Sequence, residues 1–275
     1  MAKYKETKGS SVQNFSSDPS NPIAGQVWYN TTSNVLKVSD GPVVSAWATA
    51  NSMNTGRGRL GSAGTNTAAL AFGGDMGPGN TPEMFGGTEN WNGTNWTEVN
   101  DLNTARRGLA GAGTQTAALA FGGNPPTTAA TETWNGTNWT EVNDLNTARH
   151  SLAGAGTQTA ALAFGGNGTN AETETWNGTN WTEVNDLNTA RYSLAGAGTN
   201  TAALAFGGYP GPTAATETWN GTNWTEVNDL NTARRNLAGV GTQTAALAAG
   251  GYSVTAQAVT EEWSTSGGTE TISTS

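Results

Sequence analysis

The sixteen residues WNGTNWTEVNDLNTAR occupy positions 91–106 and recur unchanged at 134–149, 176–191 and 219–234. Exact repetition constrains a fold strongly, because each copy must meet equivalent neighbours. The tryptophans Trp91, Trp134, Trp176, Trp219 and Trp263 step by 43, 42, 43 and 44 residues. Arg57, Arg106, Arg149, Arg191 and Arg234 keep the same beat after a first step of 49. Double glycines, from Gly73-Gly74 to Gly250-Gly251, do so too. Five units therefore run from about residue 43 onward.

One unit can be read from Arg106. RRGLAGAGTQT gives a short run of small residues and then a polar turn. TAALAFGG alternates, with Leu119 and Phe121 on one side and Ala118 and Ala120 on the other, which marks a strand. TETW predicts a third strand, the adjoining Asn-Gly a hairpin, and NWTEVND a fourth strand. No segment shows helical periodicity. Four short antiparallel strands per unit of this length is the pattern of a propeller blade. Small residues in LAGAG let neighbouring innermost strands approach. Trp91, Trp96, Trp134, Trp139, Trp176, Trp181, Trp219 and Trp224 are expected to pack the wider outer region.

The order arginine, small apolar strand, ALAFGG, variable loop, TETW and second tryptophan resembles the kelch repeat over about residues 43–263. The resemblance implies an all-β fold: a five-bladed kelch-like β-propeller of four antiparallel strands per blade. Its hairpin between the two aromatics is shorter than is usual in that family, and five blades are fewer. SAWATANSMNTGR at 45–57 matches TNWTEVNDLNTAR at 94–106, with Trp47 in place of Trp96. It reads as a fourth strand with no blade before it, and the last unit has Trp263 but no second tryptophan. Strand 43–50 is therefore expected to complete the fifth blade and close the ring. The expected organisation is an attachment or oligomerisation module at 1–42, a propeller at 43–266 and a tail or extra strand at 267–275.

Within the first module, GQVWYN and VLKVSD alternate around TTSN and predict a β-hairpin. An isolated hairpin is marginal in water, so Trp28 and Tyr29 are expected to attach it to another surface. PIAGQVWYNTTSNVLKV resembles short N-terminal modules of tail-fibre and other virion proteins of tailed bacteriophages. Arrays rich in NTAR and GAGTQTAALAFGG are similar to virion structural proteins of phages infecting cyanobacteria. The resemblance implies a virion location after assembly in the host cytoplasm. It also implies homo-oligomerisation, as a trimer or fibre, contact with other virion proteins, and binding to a host-surface glycan or protein.

Composition narrows the chemistry. There is no cysteine, so neither a disulfide nor a thiolate is available, and His150 is the only histidine. Residues 41–275 carry eight arginines against eighteen acids, a net −10 that disfavours a nucleic-acid partner. No run has the apolar length of a membrane span, and the basic N-terminus lacks the apolar core of a signal peptide. No metal and no cofactor are expected. Copper-oxidase propellers need a cysteine, and the aspartate box of sialidase propellers is missing. Glu141, Asp144 and Arg149 recur in every inner unit, so they read as a brace between blades, with Arg106, Arg191 and Arg234 in the same role, and not as a catalytic set. The many Asn-Gly-Thr sequons, as at Asn135, follow from hairpin geometry.

The units differ mainly in two places: just after each arginine, and after each double glycine. In an antiparallel blade both lie at one edge. Arg107, His150, Tyr192, Arg235, Tyr209, Tyr252, Met76 and Phe85 are therefore the candidate recognition residues, while the GTQT and NGTN turns at the opposite edge barely change. A non-enzymatic virion protein with a displayed binding face is the leading reading. A filament assembled by strand exchange is the alternative, and a carbohydrate-active enzyme is a third.

Overall fold

The computed structural model describes residues 12–19, 26–38, 49–77, 84–168 and 170–265. It divides into two units, Met1–Ala50 and Asn51–Ser275. The first holds β1 (Gln13–Phe15), β2 (Val27–Asn30) and β3 (Val35–Val38), in the order β1-β2-β3. β2 and β3 form the expected hairpin, and β1 adds in parallel to β2. Three residues are too few to show a period of two, so β1 left no pattern in the sequence.

Trp28 is a core residue here, which corrects its assignment as an attachment handle. It is 5% exposed, and its indole N–H donates to Asp18 Oδ1 at 3.1 Å. Asn30 Nδ2 donates to the same oxygen at 2.8 Å, and Lys37 Nζ reaches Oδ2 at 2.6 Å. Tyr29 is half-buried with its hydroxyl toward Asn34. The exposed apolar residues of this sheet are instead Val27, Val35 and Leu36.

The second unit is five consecutive antiparallel sheets. The first comprises β4 (Gly61–Gly64), β5 (Ala69–Phe72), β6 (Thr88–Trp91) and β7 (Trp96–Val99). The next comprises β8 (Ala110–Gly113), β9 (Ala118–Phe121), β10 (Thr131–Trp134) and β11 (Trp139–Val142). The third has β12 (Ala153–Thr157), β13 (Ala160–Phe164), β14 (Thr173–Trp176) and β15 (Trp181–Val184). The fourth has β16 (Ala195–Gly198), β17 (Ala203–Phe206), β18 (Thr216–Trp219) and β19 (Trp224–Glu226). The last has β20 (Ala238–Gly241), β21 (Ala245–Ala249) and β22 (Thr260–Ser264). Each is a meander in chain order, so the expected all-β repeat of four strands per unit is observed in the first four.

Both faces of an inner sheet are apolar, which requires a neighbour on each side. Ala110, Ala112, Leu119 and Phe121 of the second sheet pack against Ala161, Ala163, Trp176 and Trp181 of the third. The same match joins the third sheet to the fourth. At three of the four joints a phenylalanine meets the second tryptophan of the following unit. Phe72–Trp139, Phe121–Trp181 and Phe164–Trp224 all have ring centroids 4.9 Å apart, near edge-on geometry. The indole N–H of that tryptophan donates back to a buried threonine, as from Trp181 to Thr131 Oγ1 at 3.1 Å. The innermost strands β4, β8, β12, β16 and β20 pack in succession. A Cβ on Gly154 would stand 2.6 Å from Phe121 Cζ and 3.1 Å from Gly111 O, so the small residues of AGAG are required there.

Closure of the sheets into a disc is not seen. β4 and β20 do not pack as successive inner strands do. The expected closing strand 43–50 falls mostly on residues 41–48, and the expected tail on 266–275, all outside the described residues. Among the described residues nothing covers the leading face of the last sheet. Val240 is 59% exposed, and Ala249 stands where the other units have phenylalanine. Behind it, Phe206, Thr216, Leu230 and Trp263 line a groove. Phe164 and Thr173, the counterparts of Phe206 and Thr216, hold Trp224, whereas among the described residues no tryptophan occupies this groove.

Two outcomes test these packings. Gly154→Ala is expected to destabilise the chain by about 1–3 kcal/mol in urea unfolding, because the added methyl overpacks an inner joint. Asp18 is held at about 2, below its ordinary 3.8, by hydrogen bonds from Lys37, Asn30 and Trp28. A carboxyl depressed in the folded state stabilises above its unfolded pKa and loses that contribution as pH falls through the folded value. Amide exchange in residues 12–38 should therefore rise between about pH 4 and pH 2, and Asp18→Asn should raise it already at neutral pH.

Candidate binding edge and the braces beneath it

The chain crosses from one sheet to the next through DLNTAR, and a buried glutamate in the following sheet clamps that crossing. Arg149 Nη2 meets Glu174 Oε1 at 2.7 Å, with both side chains fully buried. Asn146 donates to Glu174 Oε2 from its backbone N–H at 2.8 Å and from Nδ2 at 2.9 Å. Arg149 also donates to Gly165 O and Glu172 O. Arg57–Glu89, Arg106–Glu132, Arg191–Glu217 and Arg234–Glu261 repeat the pair. Burial lowers the pKa of Arg149, and Glu174 opposes that shift.

Arg106, Arg149, Arg191 and Arg234 thus each hold a crossing, and their partner is not the expected Glu141 or Asp144. Glu141 is exposed, and Asp144 Oδ1 instead accepts from Thr131 N–H at 3.1 Å inside its own unit. The partner is the glutamate of TETW. The eight structural tryptophans are placed as expected in the main. Trp134, Trp139, Trp176, Trp181, Trp219, Trp224 and Trp91 are buried, with the paired rings 5.3–5.4 Å apart. Trp96, at the uncovered start of the array, is half-buried.

The two variable positions of each unit do share one edge, where backbone pairs hold them together. Arg107 pairs with Asn124, Tyr192 with Tyr209 and Arg235 with Tyr252. His150 is tied to Asn167 through that residue's N–H and side-chain oxygen. Beside this row runs a ladder between units. Gly108 N–H donates to Arg59 O at 2.8 Å, Ser151 to Gly108 at 2.6 Å, Ser193 to Ser151 at 2.7 Å and Asn236 to Ser193 at 2.8 Å. All five residues have left-handed φ, between 52° and 62°. That conformation costs a residue with a Cβ roughly 1–2 kcal/mol, so it persists because the rung requires it.

Side chains follow the ladder. Arg59 and Arg107 share the buried carboxylate of Asp75, the latter at 3.0 Å. His150 lies below its ordinary pKa through burial, reinforced by Arg107 and Arg59, and its Nδ1 is 3.1 Å from Ser151 Oγ. The rings of Tyr192 and Tyr209 are 5.1 Å apart. Arg235 lies over Tyr209 at 4.9 Å and over Tyr252 at 5.4 Å. Phe85 does not join this row: Arg57, itself a brace, lies over its ring at 4.9 Å. Met76 is half-buried in the loop after Asp75.

The constant edge has a structural reason for its constancy. Gln158 Nε2 donates to Trp134 O at 2.5 Å, and Gln243 Nε2 to Trp219 O at 2.5 Å, each across to the preceding unit. Asn143 Nδ2 donates to Asn180 Oδ1 of the next unit at 2.8 Å. At the variable edge the joints that recur are the backbone rungs, and side chains join units only locally, as Arg107 does through Asp75. Among the described residues no three His, Asp or Glu side chains gather as metal ligands, and no helix is long and apolar enough to cross a membrane. In comparisons with known proteins, no family model and no curated sequence matches the chain.

Glu174→Ala is expected to cost about 3–5 kcal/mol in urea unfolding, because it strands a buried guanidinium. Arg149→Met with Glu174→Leu should cost less than Glu174→Ala alone. Glu141→Ala, at an exposed position, should stay within about 0.5 kcal/mol of the parent.

Proposed function

We propose that this chain is a non-enzymatic structural and binding protein of a phage particle, a tail fibre, appendage or capsid decoration. The observation that carries the binding role is the division of labour between the edges. The tryptophans, the bracing arginines and the NGTN turns that join units recur from copy to copy, whereas charged and aromatic side chains change mainly at one edge. A reaction centre is needed once, but every arginine–carboxylate pair that braces a crossing is copied in each unit and buried. The virion assignment is supported by the resemblance of the N-terminal module and of the kelch-like array to phage structural proteins. Several copies on one particle would raise the avidity of a weak edge for a host-surface glycan or protein.

In this reading the five units form a five-bladed ring, closed when residues 43–50 supply the missing fourth strand of the last sheet. Trp47 then takes the place on Phe206 and Thr216 that Trp224 takes on Phe164 and Thr173. Residue 51 supports the register. Asn51 Nδ2 donates to Thr94 O at 3.0 Å and Asn95 Oδ1 at 2.7 Å, as Asn100, which follows a fourth strand, does to Thr137 O and Asn138 Oδ1. The alternative is a filament, in which the same strand enters the groove of another copy.

Negative-stain images of the purified chain decide between them. Discrete oligomers are expected, with Trp47→Ala losing about 3–5 kcal/mol of stability without change of assembly state. Long unbranched fibres that Trp47→Ala dissolves into single chains would overturn the closed ring.

A further inference from the structure

The last two variable edges place an arginine between two tyrosines with no acid to neutralise it. Arg57, Arg106, Arg149, Arg191 and Arg234 each have a glutamate, and Arg59 and Arg107 share Asp75. Arg235 is the exception. Among the described residues no carboxylate lies within ion-pair distance of it, and its side chain donates no hydrogen bond, with Nε buried and unbonded. Its guanidinium carbon stands over the rings of Tyr209 and Tyr252. Its terminal N–H donors make no hydrogen bond among the described residues and are not buried, which leaves them for the fork that matches a carboxylate.

The surroundings suit a ring-bearing acid. Tyr252 is 40% exposed, and Tyr192 continues the aromatic row beyond Tyr209. Aromatic faces accept the C–H face of a sugar ring, and phenol hydroxyls exchange hydrogen bonds with sugar hydroxyls. Stacking also fixes the guanidinium before a ligand arrives, which lowers the ordering cost of binding. A chain with net charge −9 would repel an anion in general, so a cation left without an acid at this edge is specific to it.

We propose that Arg235, Tyr252 and Tyr209 form a binding site for an acidic saccharide, with a uronic-acid carboxylate on Arg235 and the sugar ring against Tyr252. The proposal rests on the reading of the variable edge as the recognition side, and deepens it by naming the ligand class. The site engages carboxylate and ring together, so neither a neutral glycan nor an acidic peptide satisfies it.

The test uses the full chain, with calorimetric titration of oligogalacturonate, a neutral dextran oligosaccharide and oligoglutamate. Oligogalacturonate should bind, with affinity falling as salt rises. Arg235→Gln and Tyr252→Ala should each weaken it by roughly tenfold or more, about the worth of one charge-assisted contact or one stacked ring. Circular dichroism should show all variants folded, and Arg235→Lys should restore less than half of the lost binding. Absence of oligogalacturonate binding, equal binding of oligoglutamate, or an unchanged affinity in Arg235→Gln would each overturn the acidic-saccharide site. Binding of dextran that Tyr252→Ala abolishes would overturn the ligand class while leaving the recognition edge standing. Saccharide binding lost instead on Asn138→Ala or Asn180→Ala, at the constant edge, would overturn the recognition edge itself.

Discussion

A sheet that is apolar on both faces cannot stand alone in water, and every inner sheet of this protein is of that kind. Leu119 and Phe121 look toward the next unit, while Ala118, Ala120 and the tryptophans look toward the previous one. The joint is asymmetric: phenylalanine on the leading face, tryptophan on the trailing face. Each unit is thereby completed by its successor. Burying one such aromatic side chain is worth about 1.5–3 kcal/mol, and the joint recurs with the same 4.9 Å ring spacing three times. The end of the series shows what the joint is for, because Val240 and its neighbours are exposed where no described residue covers them.

Much of this was legible in the sequence because it rests on periods. The alternation in AALAF fixed the strand, Asn-Gly fixed the hairpin, and the spacing of tryptophans fixed the unit. The partner of the arginine was missed for a physical reason. Glu132 shares a strand face with Trp134, so it had to be buried, and a buried carboxylate requires a cation. Choosing the nearer Glu141 weighed closeness in sequence over the two-residue period that places Glu132 inside. Trp28 was misjudged by the opposite error, since its burial depends on Asp18, ten residues away and outside the hairpin. The left-handed ladder left no signal at all, because Arg59, Gly108, Ser151, Ser193 and Asn236 share no chemistry, only a backbone conformation.

The same ladder explains why the candidate edge tolerates change. Its rungs are backbone N–H and C=O groups, so the register between units is held without demanding any particular side chain. Variation can then accumulate in His150, Tyr192 and Arg235 with every rung in place, while Arg107 adds a side-chain joint of its own through Asp75. At the other edge the joining groups are the side chains of Gln158, Gln243 and Asn143, and there a substitution would remove a hydrogen bond. Recognition and cohesion are thus carried largely by different atoms of the same units.

The rungs also have a direction, each unit donating to the one before it. A series built this way is vectorial. Each inner unit presents a donor to its predecessor and an acceptor to its successor, so a whole period is the smallest piece that keeps the series intact. Fractions of a period break the sequence of hand-offs. The array thus has a grain, like a stack of identical cups, each seated in the one before it.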